Sequence, residues 1–342
     1  MRVHSQYIDT DYLSSFYRAK AIDLERRRLL VTRFTGSEQE KDFTEPANCR
    51  GLGRIRHFRR ATSMDWPSNP LPIDPACKAL GMAPADVLRA QVFQNAVCNW
   101  RCWYCFVDFK LLAAKREYSE WVTADDLVGL YLDQPDPPRM IDLTGGQPDL
   151  TPEWVPWMMD ALERVEVADA VYLWSDDNLS NDYFWRFLND STRSRIATYR
   201  RYSRVCCFKG YNAESFAFNT HASPDLWAAQ FKIMSRLLDL RLDVYAYVTL
   251  TTPSIGTVAA DMREFVSRLQ ALDRNLPLRT IPLEVSTFTP VQERLDQTRI
   301  RSMEFQRVAV SCWRDELAQR FSVAERSLPI QEVRLRSPRV GK

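Results

Sequence analysis

Long apolar stretches are missing from this sequence. The longest, such as residues 244–250, fall far short of the roughly 18 apolar residues that a membrane-spanning helix requires. Residues 1–20 mix Arg, His, Asp and Ser with aromatics, so no secretory signal core is read there and a cytoplasmic location is expected. Histidine is scarce: His4, His57 and His221 stand far apart, which leaves little material for a His-rich metal site. Neither sign of charge dominates. Against 46 Lys and Arg stand 44 Asp and Glu, and a formal net charge of +2 gives no strong pull toward nucleic acid. No segment repeats another and no tract is of low complexity, so neither a repeat array nor a disordered tether is indicated.

What is present is the balance of an ordinary soluble protein: 45% hydrophobic and 26% charged residues over 342 positions, enough for one substantial core and a smaller extension. Basic character is uneven. Arg50, Arg54, Arg56, Arg59 and Arg60 form one run with His57, and Arg193, Arg195, Arg200, Arg201 and Arg204 form a second. Each run reads as solvated surface or as a docking patch for an acidic protein partner or a phosphorylated substrate. Arginine supplies 38 of the 46 basic residues, so such runs follow partly from composition.

Three regions follow from the pattern. Residues 1–87 read as an irregular, partly helical extension that ends in a proline-rich connector, 66–75. In residues 88–290 short apolar runs alternate with segments of helical period, the signature of β/α units around a parallel sheet. Strands are expected at 87–97, 140–143, 171–174, 205–208, 244–250 and 281–285. Helices are expected after them, one capped by Thr123, one by Thr151 with Pro152 in its first turn, and one by Ser223 with Pro224 opening it. Six such units predict an α/β fold, a partial (β/α)6 TIM-like barrel with its chemistry at the C-terminal ends of the strands. Residues 291–342 add a C-terminal helix, expected at 303–321, and a basic tail.

Eight cysteines without a secretory signal point to metal rather than to disulfides. Three lie together as Cys98-Asn99-Trp100-Arg101-Cys102-Trp103-Tyr104-Cys105, a C-x3-C-x2-C loop directly after the first strand. At eight cysteines in 342 residues this spacing arises by chance with a probability on the order of 0.004. Thiolates are the standard iron–sulfur ligands, and one loop of closely spaced cysteines wraps a compact cluster. Three ligands for four irons leave one iron open to bind and reduce a substrate. A structural zinc knuckle wants a fourth nearby ligand, and no His or Cys occurs between Cys105 and Cys206. Buried free thiols are the remaining alternative.

The cysteine motif, with Tyr104 in its aromatic position, resembles that of the radical S-adenosylmethionine (SAM) superfamily, over residues 88–290. Gly145-Gly146-Gln147-Pro148, one β/α unit later, resembles the superfamily's Gly-Gly-Glu-Pro motif with Gln147 in place of Glu. In that family the glycine backbone receives the SAM amino group, where a side chain would block the approach. Cys207-Phe208-Lys209-Gly210 and the stretch 210–216 resemble the corresponding segment of glycyl-radical-activating enzymes, with Cys207 replacing an acidic residue. Lys209 then pairs with the SAM carboxylate, or is a strand-end surface lysine. Ser175-Asp176-Asp177-Asn178 supplies hydroxyl-binding groups at the barrel mouth, or caps a helix near Asn181. The resemblance thus implies a [4Fe–4S] cluster on Cys98, Cys102 and Cys105. It implies SAM contacts at Tyr104, Phe106, Gly145, Gly146, Gln147, Pro148, Ser175, Asp176, Lys209 and Thr287, with Cys98, Gly145, Ser175, Lys209 and Thr287 at one mouth. Residues 1–87 are expected across or beside that mouth, with Trp66, Leu71, Pro72 and Ile73 packed on the barrel.

The chemistry implied is reductive cleavage of SAM to methionine and a 5′-deoxyadenosyl radical that takes hydrogen from the substrate. A donor such as flavodoxin or ferredoxin supplies the electron. The substrate is a small molecule or a protein, the latter as for a glycyl-radical activase or a peptide-modifying maturase. The C-terminal region lacks the further cysteine cluster many such maturases carry, and 87 residues leave no room for a cobalamin domain. A different class is a non-catalytic iron–sulfur or zinc protein that binds a partner through the arginine-rich segment. Cys206 and Cys207 read as strand residues, or as a hydrogen donor or metal ligands; Cys49, Cys77 and Cys312 are dispersed. His221 is a weak acid–base candidate.

Overall fold

The apolar runs form six strands that lie side by side in the order of the sequence. In the computed structural model, which describes residues 7–335, the extension begins with α1 (Thr10–Ala21), β1 (Ile22–Asp23), β2 (Arg28–Thr32), β3 (Gly53–Arg59) and α2 (Ile73–Leu80). There follow β4 (Val87–Phe93), β5 (Ser119–Thr123), α3 (Ala124–Leu132), β6 (Met140–Leu143), α4 (Trp154–Arg164) and β7 (Tyr172–Asp177). The remainder is α5 (Tyr183–Phe187), α6 (Asp190–Thr198), β8 (Tyr202–Phe208), α7 (Ala213–Thr220), α8 (Leu226–Asp239), β9 (Val244–Thr249), α9 (Val258–Leu272), β10 (Thr280–Leu283), α10 (Thr289–Gln292), α11 (Gln297–Arg320) and α12 (Val323–Arg326). His4 and the end of the basic tail, 336–342, lie outside the described residues. Among the described residues no helix is long and apolar enough to cross a membrane.

The main sheet is a curled half-barrel with strand order β10-β9-β8-β7-β6-β4-β3. Every pairing from β4 to β10 is parallel. The C-terminal ends of these six strands therefore share one edge. Side chains alternate across the sheet. Ile141, Leu143, Leu173, Phe208, Val244, Ala246 and Val248 face the helices and build the larger core. Met140, Tyr172, Trp174, Val205, Tyr245 and Tyr247 face inward, where Leu71, Ile73, Ala76 and Leu80 pack against them.

Several details depart from the pattern. The first strand stops at Phe93, because Gln94 and Ala96 bond to β2 instead: Thr32 N–H donates to the Gln94 carbonyl and Ala96 N–H to that of Leu30. β1, β2 and β5 form a second, antiparallel sheet that period and composition did not indicate. α4 starts at Trp154 and α8 at Leu226, each after a turn that takes up the proline. The extension is also not peripheral to the sheet, since β3 pairs with β4 over its whole length, from Gly53↔Phe93 to Arg59↔Val87. A chain beginning near residue 85 would strip that ladder and Leu71 and Ile73 from the interior. It is expected to lose cooperative unfolding, as followed by near-UV circular dichroism.

The second arginine run is mostly internal bonding rather than a patch. Arg195 pairs with Asp160 and Glu163, and Arg204, wholly buried, donates to Asp149 at 2.6 Å with Asp177 at 3.6 Å. Arg204→Met leaves Asp149 buried without its cation. It is expected to cost about 3–5 kcal/mol in denaturant unfolding, far more than Arg195→Met on the surface.

Candidate functional site

The cysteine loop leaves the C-terminal edge of the half-barrel and is fixed by bonds to elements on both sides. Trp100 Nε1 donates to Thr10 Oγ1 of α1 at 3.0 Å, and Arg101 reaches the Tyr17 hydroxyl at 2.6 Å. Trp103 bonds to Asn219 of α7 twice: its N–H to the carbonyl at 3.2 Å and its Nε1 to Oδ1 at 3.1 Å. Arg294 donates to the carbonyls of Cys105 (2.7 Å) and Val107 (2.9 Å). Cys98 and Cys102 are buried and Cys105 half-buried, all three as free thiols.

Burial, first of all, raises the Cys102 thiol to about 12, with Lys209 opposing and Cys105 and Cys98 adding to the rise. The three sulfurs thus lie within electrostatic reach of one another and of one cation. Among the described residues no three Cys, His, Asp or Glu side chains are drawn close enough to hold a single metal ion. Thiolates on one zinc lie about 3.8 Å apart, given a Zn–S bond of about 2.3 Å.

Lys209 follows β8 on the inward side. Cys207, Tyr104, Cys102 and Cys105 surround its ammonium, and among the described residues that ammonium makes no hydrogen bond or ion pair. The backbone around it is held: its N–H donates to Gln230 Oε1, and its carbonyl accepts from Asn219 Nδ2. A half-buried ammonium without a carboxylate is poised for an anion. Tyr104, which accepts from Thr249 Oγ1 at 2.9 Å, borders the same space.

Gly145 and Gly146 have φ of 85° and 69° at the end of β6. A Cβ on Gly146 would lie 2.4 Å from the Asn95 carbonyl oxygen and 2.5 Å from that of Val97. The requirement for glycine is therefore visible as a close approach to the strand that leads into the cysteine loop. Gln147 is buried and fully used: Nε2 donates to Asp177 Oδ1 at 2.9 Å, and Oε1 accepts from the Asn178 N–H at 3.0 Å. Its side chain braces β7 instead of facing the interior, and Pro148 begins a buried turn beneath it. Asn178 in turn reaches Cys98 Sγ at 3.9 Å, a long contact to sulfur.

Strand alternation splits the polar run on β7. Ser175 points to the helix side, bonded to the Tyr202 hydroxyl at 2.7 Å in the network around Arg204. Asp176 points inward and accepts from Thr144 Oγ1; burial holds its carboxyl above the usual range despite that bond. Thr287 is exposed on the rim beyond β10, beside Phe288, whose ring lies 6.1 Å from that of Phe106. The structure therefore brings Cys98, Cys102, Cys105, Tyr104, Phe106, Asp176 and Lys209 to one mouth, with the Gly145-Gly146 turn beside it. It turns the side chains of Gln147 and Ser175 away. His221 is the left-handed C-cap of α7, facing Arg299 rather than the mouth. Cys206 and Cys207 fall on opposite faces of β8, and only Cys207 borders Lys209. Sequence reading missed Asn219 and Arg294, which have no motif, and Asp142, whose signal was a lone acid within an apolar strand.

No protein family and no curated protein matches the chain. Among solved structures, SuiB of Streptococcus suis bound to S-adenosylmethionine is similar at 16% identity and a TM-score of 0.36, over 52% of this chain and 36% of that one. SuiB bound to its precursor peptide SuiA gives 14% and 0.36 over the same shares, and SuiB alone 16% and 0.37 over 53% and 36%. The chain thus covers about a third of the length of these structures, and at such scores the likeness assigns neither family nor activity.

Proposed function

We propose that this chain is a radical SAM enzyme that holds a [4Fe–4S] cluster on Cys98, Cys102 and Cys105. The observation that carries the reading is the unpartnered ammonium of Lys209 within electrostatic reach of the thiols of Cys98, Cys102 and Cys105 at the C-terminal edge of a parallel half-barrel. When bound, the cluster and SAM supply one-electron cleavage of a carbon–sulfur bond, yielding methionine and a carbon radical that takes hydrogen from the substrate.

In this reading the three thiols lose their protons on binding iron, which offsets the burial that raises the thiols of Cys98 and Cys102. Lys209 takes the SAM carboxylate or balances the negative charge of the cluster. Tyr104 and Asp176 line the cofactor's approach, and Trp100, Trp103 and Phe216 exclude water from behind the loop. Arg101 and Arg294 hold the loop's carbonyls so that the sulfur positions do not depend on the metal for their backbone support. The electron comes from a donor such as flavodoxin or ferredoxin. A small molecule, a glycyl-radical enzyme or a peptide each remains compatible with this site as substrate.

Anaerobically reconstituted protein is expected to carry about four iron and four sulfide per chain, with Cys98→Ala, Cys102→Ala and Cys105→Ala each losing them. Normal iron loading in all three variants, or a zinc content of one per chain in its place, would overturn the proposal. Lys209→Met is expected to keep its iron absorbance while weakening SAM binding by about tenfold, the scale of one charge-assisted hydrogen bond. Unchanged SAM affinity in that variant removes Lys209 from the cofactor site.

A further inference from the structure

The inner face carries a second group of charges that the proposed reaction does not use. Four arginines of the described residues are buried: Arg18, Arg54, Arg204 and Arg279. Three of them are paired. Arg18 donates to Glu153 at 2.9 Å, Arg204 to Asp149 at 2.6 Å and Arg279 to Asp243 at 2.6 Å. Arg54, 8% exposed, forms no side-chain hydrogen bond or ion pair among the described residues, and its Nε is buried without a partner.

Arg56, two residues on along β3, points to the same interior. Its nearest acid, Asp142 Oδ2, stands 3.8 Å away, beyond hydrogen-bond length, and both oxygens of that fully buried carboxylate lack a partner. Aromatic rings flank the two guanidinium groups, Arg54 buried and Arg56 half-buried. Arg54 lies 5.0 Å from the Phe43 ring and 5.6 Å from that of Phe106, and Arg56 lies 4.1 Å from Phe58 and 5.9 Å from Phe106. Phe106 directly follows Cys105, so the pair sits one ring away from the cysteine loop.

A cation buried without a counter-charge, as Arg54 is, beside a second, half-buried one lowers stability unless something else supplies the charge. Burial, and next the charge on Arg56, act against the charge on Arg54, which is the electrostatic mark of an incomplete site. The rest of the arginine run does not share this character: Arg60 is bonded to Asp74, and Arg59 is exposed. The planar fork of guanidinium matches the oxygens of a carboxylate or a phosphate.

We infer that Arg54 and Arg56 bind a carboxylate or phosphate group of the substrate and so place its remaining atoms over Phe106, beside the cysteine loop. The inference names the substrate class for the proposed radical SAM site and rests on that reading for the reaction alone. Asp142 positions Arg56 from below.

The test uses the full chain, with glutarate as the carboxylate probe and inorganic phosphate as the phosphate probe, in calorimetric titration and thermal unfolding. One probe is expected to bind saturably and raise the unfolding midpoint; which one does so identifies the group. Arg54→Met and Arg56→Gln are each expected to weaken that binding by about tenfold or more. Arg54→Met is expected to unfold no earlier than the parent, because an unpaired buried cation has been removed, whereas Arg56→Gln takes the nearest cation from the buried Asp142 and is expected to fold with a modestly lower unfolding midpoint. Absence of saturable binding by either probe would overturn the inference. So would variants that bind the probe normally, or a loss of folding in both, which gives the arginines a structural role. Displacement of the probe by SAM would move the pair into the cofactor pocket and equally overturn it. Neither iron nor SAM is needed for the titrations, so failure here and failure of the cluster reading are separate results.

Discussion

The approach of two backbones at the end of β6 sets the positions of the other parts of the mouth. The Gly145-Gly146 turn presses on the segment 95–97, the Gln147 N–H bonds to the Val97 carbonyl at 2.8 Å, and Asn95 Nδ2 returns a bond to the Gln147 carbonyl at 3.2 Å. From this clamp the chain runs one way into Cys98 and the other way, through the Gln147 side chain, to Asp177 and Asn178. Three consecutive strands are thereby held at a common height, and the thiol of Cys98 is placed relative to β7 before any ligand arrives. A methyl group at Gly146 would have to displace two carbonyl oxygens, which is why the position tolerates no side chain.

Much of this arrangement was legible in the sequence. Six apolar runs gave six strands, because strands buried on both faces must be apolar almost throughout. The cysteine spacing marked the loop, and Gly-Gly marked the turn against it. What was not legible came from long-range pairing. β3 reads Arg-Ile-Arg-His-Phe-Arg, with its two apolar residues on opposite faces and no clear alternation, so only its partner β4 reveals that Arg54 and Arg56 face inward. β2 and β5 are likewise strands by virtue of each other, with the paired Thr32 and Ser119 lying 87 residues apart in the chain. Alternation also separated Ser175 from Asp176, although the sequence presents them as neighbours in one polar run.

Buried charge is treated in two ways within the same sheet. On the helix side, Arg204 meets Asp149 and the Tyr202 hydroxyl, so the cation is compensated and the network ties β8 to the turn after β6. On the interior side, Lys209 and Arg54 lack such compensation, and Arg56 has only Asp142 at 3.8 Å. Compensated charge belongs to the scaffold. Uncompensated charge belongs to the space where ligands would supply what is missing.

β3 is the outermost strand of the half-barrel and is bonded along one side only. Gly145 and Lys209 follow β6 and β8, whose ladders do not include it, whereas the cysteine loop follows β4, its one partner. Substitutions within its seven residues therefore act on the interior lining at Arg54, Arg56 and Phe58 without entering the ladders that join β6 to β10. In the proposed reading this separates two kinds of change over evolutionary time: drift in the edge strand alters what the interior accepts, and drift in the central strands disturbs the mouth itself. A lineage descended from such a chain would diversify first at its margin.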